Sequence, residues 1–294
     1  MAHKELADSK ELLSFYINSF VVITFDKDRS NSNLSQQANF DVALLSQMLL
    51  SKLLHLRKVI DGVSFTNKSL SLPSFIDPTL VGMITRNIFE IWANFNLNFI
   101  YPENDDQRLL IYNCWQIAGL KAKQHFGKKS NTAKNIEIAK EEREAIASLT
   151  AEIIDSELYN NYHKTIEDPK KDKVKLALKK KDWKFAFNPL RLLPWAELHT
   201  EMHVKAEFFD SIYSYFSQYT HPSYVSVFQY HQLFKPESRD FEMLTNFHLR
   251  FTFAFISFFI SDYINLFPEA KSTFNDFDSM EQKVLLSYND LYRE

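Results

Sequence analysis

The chain has four glycines in 294 residues, Gly62, Gly82, Gly119 and Gly127, and no other feature narrows its choice of fold as far. Average usage is roughly 7%, and sheet-rich folds use glycine for tight turns and phosphate loops. The shortage points to an all-α fold, a multi-helix bundle. It also excludes dinucleotide and P-loop sites, because neither GxGxxG nor GxxxxGK[ST] can be written with these four positions. The single cysteine, Cys114, excludes a disulfide framework and a cysteine-based zinc cluster. A reducing, cytoplasmic setting fits that usage.

Nothing in the chain reads as a membrane segment. The first twenty residues carry Lys4, Glu5, Asp8, Lys10 and Glu11, unlike the apolar start of a signal peptide. The most apolar run, 251–267, is interrupted by Asp262 and Asn265 and reads as a buried helix. A net charge of −3 gives no global attraction to nucleic acid, so any such binding needs a local patch.

Apolar spacing at i, i+3, i+4 predicts about eight helices: 5–24, 42–60, 79–101, 105–126, 132–159, 195–220, 241–266 and 279–292. Asp77-Pro78 is a cap and first-turn pair for the third, and Pro102 stops it. One domain over 1–294 is expected, with 164–194 as a lysine-rich linker or loop between two packed halves. Residues 168–184 hold eight lysines against three aspartates and end near Trp183, so this stretch is a candidate contact for RNA phosphates with a ring for stacking. A solvated charge run is the plainer reading.

Two polar stripes stand out. On the third helix, Arg86, Glu90, Asn94 and Asn98 follow one another at i, i+4 along a helix otherwise apolar around most of its circumference. A buried Arg86–Glu90 pair is either a structural tie or part of a site. On the helix expected over 195–220, His199, His203, Glu207, Asp210, Ser214, Ser217 and His221 share one arc, while Tyr219 belongs to the opposite, core-facing arc. His199 and His203 at i, i+4 with Glu207 have metal-ligand spacing, but HTEMH lacks the glutamate directly after the first histidine that zinc peptidases need. No metal or cofactor is expected. His221 ends this helix beside Ser217, Thr220 and Ser223, a setting suited to proton transfer, to phosphate contact, or to anchoring the helix end.

Arg86-Asn-Ile-Phe-Glu90 on a buried helix, taken with Trp183 and the string 215–223, Tyr-Phe-Ser-Gln-Tyr-Thr-His-Pro-Ser, resembles the bacterial helical family known as domain of unknown function 5677. The resemblance spans residues 40–270, and that family looks related to HEPN-type helical domains. It implies a helical bundle. HEPN relatives are often metal-independent RNases of defence or toxin systems and commonly dimers, with Arg and His separated by four to six intervening residues at one helix end; a homodimer is what that implies here. This chain departs from that pattern, since none of its nine arginines is followed by a histidine at that spacing. A nuclease here needs Arg86 to approach His221 from another helix. The resulting expectation is a pocket with Arg86, Glu90 and His221 as catalytic residues, Asn94, Ser217 and Tyr219 as ligand-binding residues, and RNA or a nucleotide as ligand. The alternative is a non-catalytic interaction or scaffold module in which the same side chains lock helix packing.

Overall fold

The computed structural model describes residues 2–25, 29–127, 132–209, 212–220, 223–233 and 240–293, and these are mostly helical. In chain order they form α1 (Ala2–Phe25), α2 (Gln36–Val59), a hairpin of β1 (Val63–Thr66) and β2 (Ser71–Phe75), α3 (Pro78–Phe99), α4 (Asp105–Gly127), α5 (Ala133–Asp155), α6 (Glu157–Lys164) and α7 (Lys173–Lys180). A second hairpin, β3 (Phe185–Phe187) with β4 (Leu190–Leu192), precedes α8 (Leu198–Glu201), α9 (Ala206–Phe209), α10 (Ile212–Thr220), α11 (Tyr224–Leu233), α12 (Asp240–Leu266), α13 (Pro268–Asn275) and α14 (Ser279–Tyr292). Both hairpins are antiparallel, with Thr66 opposite Ser71 and Phe187 opposite Leu190 at their turns.

The all-α class stands, but the helical segments outnumber the eight expected, for local reasons. Ser156 divides the fifth expected helix: its backbone is extended, and its hydroxyl accepts from Tyr159 N–H at 3.2 Å to cap α6. The helix expected over 195–220 is broken more thoroughly. His203 adopts a left-handed φ of 52°, Val204 forms an antiparallel bridge with Arg293, and Lys205 N–H donates to the Tyr292 carbonyl at 2.9 Å. A pairing with a residue 89 positions away overrides local periodicity. His199, His203 and Glu207 therefore do not share one helix face, which removes their metal-ligand spacing.

The lysine-rich stretch also differs from a plain loop. Asp172 caps α7 by accepting from Lys175 N–H at 3.0 Å, Val174, Ala177 and Leu178 turn inward, and Lys181 closes the helix in the left-handed region. Trp183 is only 8% exposed, and the buried Lys184 ammonium lies near its ring and that of Trp195. Trp183 therefore has little ring surface left for stacking on a base.

The residues cluster into two compact units, Met1–Asn96 with Met202–Glu294, and Leu97–Glu201. Residues 164–194 lie inside the second. In the first unit α12 is the central element, packed on α1 and α14. Its aromatic residues meet those of α1 and α3, with Phe253 stacked on Tyr16 at 5.6 Å, Phe259 on Phe95 at 4.4 Å and Phe258 against Trp92 at 4.9 Å. Truncating one such ring to alanine typically costs about 3–5 kcal/mol. By length and composition α12 could cross a membrane, yet 72% of its most apolar window is buried against the rest of the protein.

A charged group, Asp262, is buried in that core. Asp262 accepts from Trp92 Nε1 at 2.9 Å and Asn96 Nδ2 at 2.8 Å on one oxygen, and from Arg293 Nη1 at 2.6 Å on the other. It thereby ties α3 and the chain's last described residue to α12. In the second unit α4 and α5 pair along their lengths, and Cys114 is buried on α4, which pushes its thiol up to about 12.

Candidate functional site

Arg86 lies on α3, and its neighbourhood follows from the spacing of polar residues on two helices. Nε donates to Glu90 Oε1, one turn along, at 3.0 Å. The terminal nitrogens reach α10: Nη1 donates to Thr220 Oγ1 at 3.0 Å and Nη2 to the Tyr213 hydroxyl at 2.8 Å. Tyr213 and Thr220 are seven residues apart, two turns of one helix face, so one planar guanidinium spans both. The group also lies 4.7 Å from the centre of the Tyr213 ring. The side chains of Arg86 and Glu90 are 17% and 28% exposed, so the pair sits at a seam rather than in the core.

The other expected site residues fall in different places. Asn94 continues the α3 stripe and donates from Nδ2 to the Glu90 carbonyl at 2.7 Å. Ser217, midway between Tyr213 and Thr220 on α10, donates to the Tyr213 carbonyl at 2.6 Å. Tyr219 is buried, 7% exposed, and packs against α3 at Gly82. His221 lies outside the described residues, as does Asp210; Thr220, which precedes His221 in the chain, is the residue Arg86 bonds. Tyr213 and Thr220 were not singled out from the sequence as partners of Arg86, although their i, i+7 spacing with Ser217 between them was a readable signal.

Tyr219 belongs to a second, buried cluster. Its hydroxyl donates to the Tyr215 hydroxyl at 3.1 Å, and that oxygen lies 3.0 Å from His248 Nε2 on α12. Burial holds the His248 imidazole down at about 3, against a smaller upward pull from the Pro78 carbonyl. Burial, and after it the bond from Tyr219, pushes the Tyr215 phenol well above its ordinary value. At neutral pH His248 and Tyr215 are therefore uncharged, which suits packing rather than acid–base work. Gly82 makes room for it, since a Cβ there would come within 3.2 Å of His248 Cε1 and 3.4 Å of Tyr219 Cβ. A glycine inside an otherwise apolar helix was the sequence signal of this close approach.

Among the described residues no group of three His, Cys, Asp or Glu is placed to hold a metal ion. The seam therefore offers an oriented guanidinium, hydroxyls and one carboxylate.

Residues 78–239, which carry α3 and α10, match a family model described as a family of unknown function, DUF5677. No curated protein and no solved structure matches the chain significantly.

Proposed function

The chain belongs to this family of unknown function, and from that premise we propose that the α3–α10 seam binds a phosphate-bearing ligand, RNA or a nucleotide, with Arg86 as its anchor. The observation that carries the reading is the bonding of the guanidinium. It has five N–H donors, and three bonds to Glu90, Tyr213 and Thr220 fix its plane. Among the described residues these bonds leave one N–H on each terminal nitrogen, and two guanidinium donors suit phosphate oxygens. A donor pair already held in place needs little ordering when a ligand arrives. Glu90 offsets part of the charge, so affinity rests on geometry and on a second cationic group, for which His221, next to Thr220 in the chain, is the candidate. The sharper form of the reading, an HEPN-like RNase of a cytoplasmic defence or toxin system, adds cleavage to binding.

A second reading has its own support. Three internal acceptors are what a purely structural clamp between α3 and α10 needs, and on that reading the module serves interaction or scaffolding without chemistry. Fluorescence polarisation with a labelled single-stranded RNA, alongside thermal melts and a cleavage assay, separates the two. Wild-type binding that weakens with salt, and that Arg86→Lys and His221→Ala each reduce about tenfold or more at a nearly unchanged melting midpoint, supports the site. Absence of wild-type binding, or loss of binding only in step with loss of fold, supports the clamp.

A further inference from the structure

Away from the α3–α10 seam, the first unit contains a cavity of about 350 Å³ between the end of α1, the first half of α2 and the end of α12. Its size lies at the lower end of the range for small-molecule sites, about 300–1,000 Å³. Among the described residues the wall combines aromatic surface from Phe25, Phe40 and Phe267 with one cation, Arg29, and none of those lining it is acidic. Arg29 is held at one edge: Nη2 donates to Thr273 Oγ1 at 2.7 Å and reaches the Ile23 carbonyl at 3.5 Å. Its Nε is buried and has no acceptor among the described residues.

A buried donor without an acceptor is destabilising, and a charged one more so. The same guanidinium charge acts on Tyr263 across the cavity, opposing the burial that raises its phenol to about 12. Phe40, which lines the cavity, is 57% exposed.

We propose that this cavity is a binding site for a small amphipathic carboxylate, whose carboxylate meets the Arg29 guanidinium edge and whose apolar body lies against Phe25, Phe40 and Phe267. The class follows from the lining. One cation matches a monoanion better than a dianionic phosphate, and a planar carboxylate accepts two parallel N–H bonds from a guanidinium. Three aromatic side chains then cover an apolar body of several carbons.

The test uses the full chain and two matched probe pairs, 4-phenylbutyrate with its amide and octanoate with its amide, read by calorimetry and by shift of the melting midpoint. Each acid is expected to bind about tenfold or more tightly than its amide. Arg29→Gln should abolish that preference, and Ala43→Phe, which adds a ring to the lining from α2, should weaken acid and amide together. If Arg29→Gln does not fold, the acid–amide difference on wild type and the weakened binding of both probes in Ala43→Phe decide the matter. The proposal is overturned if neither acid binds wild type, if acid and amide bind equally, or if binding is unaffected by Ala43→Phe.

Discussion

Arg86–Glu90 and Arg293–Asp262 are both arginine–carboxylate pairs of the same unit, and their surroundings set them apart. Asp262 is 2% exposed, and both its oxygens are engaged by Arg293, Trp92 and Asn96. The Arg293 guanidinium lies near the Trp92 and Phe258 rings, and its side chain, 15% exposed, is about as open as that of Arg86 at 17%, so the pairs differ at the carboxylate. Arg86 also reaches three acceptors, but its carboxylate partner Glu90 is 28% exposed, at a half-open seam between α3 and α10. Similar chemistry serves cohesion where it is sealed and can serve recognition where it is open.

The contrast breaks most visibly at Asp262. Asp262→Ala leaves a buried guanidinium, an indole N–H and an amide without their acceptor, and should lower stability by about 3–5 kcal/mol, measured by urea unfolding. A mild effect would mean the core pair is not the tie described here.

Next in size is a pH effect on the buried cluster. The folded His248 value, about 3, lies below the unfolded value near 6.5, so its contribution is complete above pH 6.5. As pH falls toward 3 the unfolded chain takes up a proton the native state refuses, and stability declines by roughly 1 kcal/mol per pH unit. Comparing unfolding at pH 7 and pH 5 should show wild type losing roughly 2 kcal/mol more than His248→Asn from this source. Equal losses would show that His248 is protonated in the native state.

At the seam the stability effects shrink. Arg86→Ala should cost about 1–2 kcal/mol, because its partners are polar and partly solvated; a loss as large as that at Asp262 would erase the distinction between the pairs. Glu90→Gln should cost under about 1 kcal/mol and strengthen RNA binding severalfold by removing a competing carboxylate. Weaker binding in Glu90→Gln would assign the carboxylate a direct part in holding the ligand.

How far these features could be read beforehand depended on range. The glycine shortage announced a helical protein, and Asp77-Pro78 marked the start of α3 correctly, because Asp77 Oδ1 accepts from Thr79 N–H at 2.9 Å. The i, i+4 stripe brought Arg86 and Glu90 together as expected. Long-range pairings were not legible: Val204 with Arg293 broke an apparently continuous helix, and Asp262 looked like a flaw in an apolar run before Trp92 and Arg293 were seen to converge on it. The lysine-rich stretch hid α7 because eight charges mask the Val174, Ala177, Leu178 face that holds it down.

The most direct test of the open seam is to follow the Arg86 Nε–H resonance by NMR while titrating a short RNA bearing a 5′-phosphate, with the dephosphorylated RNA as control. The account predicts a saturable shift of that resonance, larger for the phosphorylated strand, with the core resonance of Arg293 unmoved. No shift at Arg86, or equal shifts at both arginines, would contradict it.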